Sequence, residues 1–222
     1  MQDISEKMEA IMDSRVVDEV KEFSPVIVSA INPLGGLVVS GLKQIMDNAD
    51  KYKLSYLLEG LASGLNQEMM FNELYNYINN PDKAYNVSSI FRKTLLNSSK
   101  IACFIMGVIL SELVNKDKEF TQEELIIYNA LDNATDIDLK IFYQVGLNNI
   151  KENGEIDISD IDLKDKVKYE FALEYFLKQR IISRRKPKSG ELIRAEEPFE
   201  WNEIAEKLKL YLDKAKTMMS YS

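Results

Sequence analysis

Basic side chains cluster in one stretch of the sequence, between residues 178 and 194. This stretch carries seven cationic side chains against one acid, Glu191, which gives a local charge of +6. The chain has a formal net charge of −8, so the remaining residues sum to −14. Arg and Lys side chains at this density suit contacts with phosphates or carboxylates. The candidate binding residues are Lys178, Arg180, Arg184, Arg185, Lys186, Lys188 and Arg194.

Three interpretations of this basic stretch remain open. It could bind nucleic-acid phosphates, with an affinity that falls steeply as salt rises. It could bind the acidic surface of a partner protein. It could also have no direct role, as a solvated hairpin whose charges keep a β edge from pairing with other chains. The net charge of −8 argues against a protein that coats nucleic acid with its whole surface.

The composition argues against most enzyme classes. Histidine is absent from the sequence, which removes the commonest general acid–base and a common zinc ligand. The single cysteine, Cys103, cannot form an internal disulfide or a cysteine-rich zinc site. The phosphate-binding GxxxxGK[ST], the dinucleotide-binding GxGxxG and the nucleophile elbow GxSxG are all missing. We therefore expect no enzymatic activity, no cofactor and no catalytic residues.

A group of acidic residues between 157 and 165 suggests a calcium loop at first sight. An EF-hand loop needs a glycine at its sixth position and a glutamate at its twelfth. With Asp157 as the first position, these places are taken by Asp162 and Lys168. The pattern fails, and we expect no metal site.

The clearest candidate for a buried element is the almost wholly apolar run Ser98–Val114. We expect the other helices, including those that position the basic residues, to pack around it. A helix that is apolar on all sides has to be buried. The 13 residues from Ile101 to Leu113 are too few to cross a bilayer, which needs about 20. We therefore predict a buried central helix in an all-α fold, mainly a helical bundle, with Cys103 inert inside it.

Two N-terminal segments precede this body. From Ile4 to Phe23, apolar residues recur at helical spacing and predict a helix with one apolar face. The run Pro25–Leu42 has no charged residue and carries Asn32, Pro33 and the pair Gly35–Gly36. A buried helix pair with a bend is the favoured interpretation, with membrane contact as the alternative, because Pro and Gly weaken a spanning helix.

Local signals place the later helices and a domain boundary. Thr121 and Glu124 have the spacing of a capping box, which marks a helix start. A further helix begins near Thr135–Asp136. The pattern changes over Asp132–Asp136, so we predict a helical bundle domain over 1–132 and a second domain over 136–222.

The C-terminal third predicts a helix, a short extended piece, a long helix, a hairpin and a last helix. The extended piece is Glu155–Ser159, and the long helix starts at Asp162 or Leu163. Ile181–Ile182 and Leu192–Ile193 are β-capable and flank the polar tip Ser183–Ser189. The last helix is predicted to start at Glu200–Trp201.

This order of elements over Leu139–Leu212 resembles a winged-helix module, with Arg184–Gly190 as the wing. The resemblance implies a C-terminal winged-helix-like domain with a small β-hairpin. A glycine-bearing apolar N-terminal segment, a helical body and a winged-helix-like end are together similar to bacterial and phage-encoded helical proteins, some encoded near phage-defence genes.

These observations favour a non-enzymatic helical interaction or adaptor protein that presents the basic hairpin to a protein partner. The first alternative is a winged-helix DNA-binding regulator that contacts phosphates through Arg184, Arg185, Lys186 and Lys188. The second is a membrane-active effector that uses the apolar segment 25–42. The absence of disulfides and of an apolar leader predicts a cytoplasmic protein.

Overall fold

The structure is a computed structural model, and it describes residues 48–65, 70–185 and 198–216. Within these ranges the helices are α1 (Asn48–Ala62), α2 (Met70–Tyr77), α3 (Pro81–Leu96), α4 (Lys100–Asn115), α5 (Gln122–Ala130), α6 (Asp136–Asn148), α7 (Leu163–Lys178) and α8 (Glu203–Lys214). Two short strands, β1 (Ser183–Arg184) and β2 (Phe199–Glu200), pair antiparallel. The predicted all-α bundle with a small C-terminal β element is confirmed at this level.

The central helix α4 is buried on all sides, as its apolar sequence predicts. Ile101, Ile105, Ile109 and Leu113 have no exposed surface, and the other sides of the helix are also buried. Helices α1, α2, α3, α6 and α8 all contact it. A helix without a polar face becomes the centre of a bundle because each side of it gains free energy from being covered.

Side chains from neighbouring segments fix the ends of the helices. Ser99 caps α4, and the Asp136 carboxylate accepts hydrogen bonds from the Ser99 hydroxyl (2.6 Å) and the Ile101 amide (3.1 Å). An acid at a helix N-terminus satisfies free N–H groups and complements the helix dipole. Because Asp136 opens α6, this contact holds the N-termini of α4 and α6 together.

The capping box predicted for Thr121 and Glu124 is confirmed at the start of α5. The Thr121 hydroxyl accepts from the Glu124 amide (3.2 Å), and the Glu124 carboxylate accepts from the Thr121 amide (2.9 Å). Thr135 and Asp138 form a second capping box at the start of α6. Both signals are local in sequence, which is why they can be recognised before the fold is known.

The predicted hairpin is partly wrong in its strand positions. Ile181 and Ile182 are buried side chains outside the strand, and β1 is formed by the next two residues. Its partner β2 lies at Phe199–Glu200, where the last helix was predicted to start, and α8 begins only after Asn202 caps it. The predicted second strand, Leu192–Ile193, lies outside the described residues.

The extended piece near residue 155 joins this small sheet. Glu155 forms a bridge with Glu200, the Ile156 amide donates to the Phe199 carbonyl (2.9 Å) and the Trp201 amide donates to the Gly154 carbonyl (2.8 Å). On the other side of β2, Ser183 pairs with Glu200. The three extended segments therefore lie side by side, with β2 in the middle.

The C-terminal helix α8 returns to the first part of the chain. Tyr211 reaches Glu112 of α4 (3.4 Å), Lys207 reaches Glu124 of α5 (3.4 Å) and Tyr143 of α6 donates to Asp213 (2.7 Å). Buried residues from both halves belong to one hydrophobic cluster. The division into domains 1–132 and 136–222 stays a prediction.

Within the described ranges, no helix is both long and apolar enough to cross a membrane. The segments 4–23 and 25–42 lie outside those ranges.

Candidate interaction surface

The basic stretch and the helix that leads into it form the candidate site. Helix α7 is fixed by its inner face, where Ala172, Leu173 and Phe176 are buried. The Phe176 ring packs on Phe142 of α6 with ring centroids 4.5 Å apart, and the Trp201 ring stacks on Phe142 with centroids 4.7 Å apart. Aromatic contacts of this kind bury a large area and restrict the geometry. They therefore hold α7 and the residue after β2 against α6.

Hydrogen bonds at the flank of α7 complete this attachment. The Tyr175 hydroxyl donates to the Ala130 carbonyl at the end of α5. The Tyr169 hydroxyl donates to the Gln144 side chain of α6 (2.7 Å). Burial raises the pKa of Tyr175 to about 12, so its hydroxyl keeps its proton at neutral pH.

Helix α7 ends in a backbone conformation that is unusual for an arginine. Arg180 has a φ of 63°, and its amide donates to the Leu177 carbonyl (3.0 Å). The Ile181 amide donates to the Phe176 carbonyl (2.9 Å), which completes a Schellman motif. This ending turns the chain sharply into β1 and leaves the side chains of Lys178 and Arg180 exposed.

Arg184 and Arg185 make contacts with carboxylates of the same chain. Arg184 pairs with Glu174 of α7, and its guanidinium lies over the Phe199 ring at 3.9 Å. Arg185 pairs with Glu155 (3.1 Å). Their side chains are 32% and 22% exposed, so a phosphate or a partner carboxylate would have to compete with these intramolecular acids.

Glu155 also belongs to a small charge network around the turn at Gly154. Lys151 binds both Glu155 (3.2 Å) and Asp157 (2.8 Å). The hydrogen bonds from Lys151 hold the pKa of both carboxyls below its usual range. The acids that face Arg185 and Lys151 are therefore ionised at neutral pH, and the network stabilises the three extended segments.

The structure describes four of the seven predicted binding residues. Lys178 and Arg180 are exposed at the end of α7, and Arg184 and Arg185 lie on and beside β1. Lys186, Lys188 and Arg194 lie outside the described residues, as does most of the predicted wing.

Sequence reasoning missed a row of apolar side chains on the outer face of α7. Leu163, Val167 and Phe171 are spaced by four residues and are 81%, 52% and 73% exposed. We call these three side chains the α7 stripe. Single exposed apolar residues are common, but three in line on one helix face are typical of a docking surface.

A signal for the α7 stripe exists in the sequence. Helix α7 carries apolar residues on two faces, one at Ala172, Leu173 and Phe176 and one at the stripe. A helix that packs on one side needs only one of these faces. The second face indicates a surface that something else covers.

Charged side chains border the stripe. The exposed Lys164 and Lys168 follow one edge, and Glu170 and Glu174 follow the other. Lys168 pairs with Asp165 (2.9 Å). Among the described residues, no group of three or more His, Cys, Asp or Glu side chains has a geometry that could hold a metal ion.

Comparison of the chain with protein-family models, with curated proteins and with solved structures gives no significant match.

Proposed function

We propose that this protein is a non-enzymatic interaction protein that binds a protein partner through the outer face of α7, beside the basic stretch. The observation that carries this proposal is the exposure of the α7 stripe, with Leu163 and Phe171 more than 70% exposed. Burying one large apolar side chain contributes up to about 2 kcal/mol to binding. Three in line, with charged edges, provide both affinity and orientation.

The basic residues supply specificity in this proposal. Lys178 and Arg180 extend the α7 stripe at its C-terminal end with exposed positive charge. Arg184 and Arg185 mainly fix the small sheet through Glu174 and Glu155. The partner surface is therefore apolar at its centre with acidic groups near the end that meets Lys178 and Arg180.

A capture experiment from the native host tests this function. Tagged wild-type protein should retain a partner that Phe171→Glu loses. Leu210→Glu is the matched control, because Leu210 is 54% exposed and belongs to α8 rather than to α7. Lys178→Glu/Arg180→Glu should weaken capture. Equal capture by wild type and Phe171→Glu would refute the proposed surface.

A DNA-binding regulator is the second candidate, favoured by the arrangement of the extended segments. In the small sheet, β2 lies between the extended piece near residue 155 and β1. This spatial order is the one that a winged-helix sheet would have, and it supports the proposal. In this function Lys178 and Arg180 contact phosphates. Binding to a duplex oligonucleotide at low salt should then fall in Lys178→Glu/Arg180→Glu and remain in Phe171→Glu, whereas capture of a protein partner is lost in Phe171→Glu.

A further inference from the structure

A tight turn between α6 and the small sheet carries the only Asn–Gly pair of the sequence, Asn153–Gly154. We propose that this pair is a site of spontaneous covalent modification in the folded protein. The Asn153 side chain loses ammonia and forms a cyclic imide, which water then opens to aspartate or isoaspartate. Asparagine is among the residues that limit the chemical lifetime of proteins at elevated temperature. This chemistry needs neither the α7 stripe nor a partner, so it is independent of the proposed function.

The reaction takes place within one dipeptide, and water is the only reagent. The Gly154 amide nitrogen loses its proton and attacks the side-chain carbon Cγ of Asn153. The new N–Cγ bond closes a five-membered ring, and the side-chain amide group takes up the proton and leaves as ammonia. Water then adds to one of the two ring carbonyls and breaks its bond to the nitrogen. The net change exchanges ammonia for water and converts a neutral amide into a carboxylate.

Three features of the turn favour this attack. Asn153 is exposed, so water reaches the side chain and the ring. Gly154 has no Cβ that would keep its nitrogen away from the Asn153 side chain. The Asn153 side-chain oxygen accepts a hydrogen bond from the Glu155 amide (3.0 Å). A donor in this position stabilises the negative charge that develops on the oxygen during the attack.

One hydrogen bond has to open before the reaction starts. The Gly154 amide donates to the Lys151 carbonyl (2.9 Å), which closes a β-turn over residues 151–154. The two central residues of this turn, Glu152 and Asn153, are exposed. A single bond in an exposed turn opens by local fluctuation, without unfolding of the protein. We therefore expect the reaction in the folded state, at a lower rate than in the unfolded chain.

Asn97, which precedes the small residue Ser98, provides a contrast within the same chain. Its residue surface is only 2% exposed. Its side-chain amide donates to the Leu131 carbonyl (2.7 Å), and its side-chain oxygen accepts from the Ser99 amide (2.8 Å). Attack by the Ser98 nitrogen would require the loss of these buried hydrogen bonds, which is costly. We therefore expect Asn97 to stay intact as long as the protein is folded.

Modification of Asn153 should weaken the small sheet. The Gly154 carbonyl accepts from the Trp201 amide (2.8 Å), and the next residue, Glu155, pairs with Arg185 (3.1 Å). Isoaspartate inserts an extra carbon into the backbone directly before Gly154, which shifts this carbonyl relative to Trp201. Aspartate keeps the backbone length but adds a negative charge two residues before Glu155. Both products therefore disturb the turn that leads into the sheet, and isoaspartate disturbs it more.

Incubation of the full-length protein at pH 8, followed by peptide mapping with mass spectrometry, tests the modification. The peptide with Asn153 should gain the mass difference between an acid and an amide, and isoaspartyl methyltransferase should label it. The rate should rise several-fold from pH 7 to pH 8, because the attacking nitrogen must first lose its proton. The peptide with Asn97 should stay unchanged in the folded protein.

Asn153→Gln is the matched variant, because glutamine keeps the amide but would have to close a six-membered ring, which forms far more slowly. Its peptide should stay unmodified, and incubation should leave its stability unchanged. Incubated wild type should unfold at a lower urea concentration than fresh wild type. It should also show altered fluorescence of Trp201, the only tryptophan of the sequence.

Three results would overturn the proposal. The first is an unmodified Asn153 in the folded wild type after a time that converts it in the guanidinium-unfolded chain. The second is equal conversion of Asn97 and Asn153, which would show that the reaction follows global unfolding and not the turn. The third is complete modification of Asn153 with unchanged stability and fluorescence, which would remove the effect on the sheet. All three are measured without a partner, so they leave the proposed function untouched.

Discussion

Gly60 of α1 and Gly107 of α4 lie where the two helix backbones touch. A Cβ atom on Gly60 would lie 2.0 Å from the Phe104 carbonyl oxygen, and one on Gly107 would lie 2.0 Å from the Leu57 carbonyl oxygen. The two glycines thus permit one reciprocal close contact. Such small-residue crossings allow extensive backbone packing, and they explain why α1 lies so closely along the central helix.

Gly60→Ala should destabilise the protein by about 3 kcal/mol or more, because the added methyl group meets backbone atoms that cannot move locally. Gly64→Ala, in the turn that follows α1, is the matched control. There the nearest atom is the Ser111 hydroxyl at 2.2 Å, a side chain that can rotate, so a smaller loss is expected. Urea unfolding followed by circular dichroism measures both. Equal stability of Gly60→Ala and wild type would contradict the close contact.

Glu124 should make stability depend on pH in the acid range. Its carboxyl is fully buried, which by itself raises the pKa, but hydrogen bonds from Lys118 and the Thr121 amide, with the charge of Lys207, lower the pKa to about 2 from an ordinary 4.5. Because the folded-state pKa is the lower one, Glu124 stabilises the fold fully above pH 4.5. The contribution, about 3 kcal/mol, is lost as the pH falls towards 2.

Glu124→Gln should therefore lower stability at neutral pH by about 3 kcal/mol and flatten the acid limb of the stability profile. Glu123→Gln is the control, since the Glu123 side chain is 49% exposed and pairs with Lys207 at 3.3 Å. An exposed pair contributes less than about 1 kcal/mol. Urea unfolding at pH 7 and pH 3 compares the two variants, and equal losses would argue against the role of burial.

Cys103 should be unreactive in the native protein. Its side chain is fully buried in α4, its thiol donates to the Thr94 carbonyl at 3.7 Å, and burial raises the pKa of the thiol to about 12. Since the thiolate is the reactive form, iodoacetamide should modify Cys103 only after unfolding. Mass spectrometry at pH 8, with and without about 6 M guanidinium, measures the modification. Rapid native labelling would show that α4 is accessible.

Arg180→Gly should stabilise the protein by about 0.5 to 1 kcal/mol. The left-handed φ of 63° is costly for an arginine and free of strain for glycine. Arg180→Gln removes the charge but keeps a Cβ, so it should leave stability close to that of the wild type. Thermal unfolding compares the three proteins. A loss of stability in Arg180→Gly would mean that the arginine side chain contributes more than the backbone strain costs.

Much of the helical framework follows from local sequence. The burial of α4 is set by a run with apolar residues on every side, and the start of α5 is set by Thr121 and Glu124, three residues apart. Both signals act within one helix or one turn. The sequence by itself therefore determines where α5 begins and that the run around Ile105 lies inside.

Tertiary structure alone decides which of the two apolar faces of α7 is covered. Phe176 and Phe171 are five residues apart and similar in character, yet one is fully buried against Phe142 and the other is 73% exposed. Likewise, Arg185 pairs with Glu155, which lies thirty residues earlier in the sequence. Neither result follows from composition or spacing, because burial and ion pairing depend on which distant segments the fold brings together.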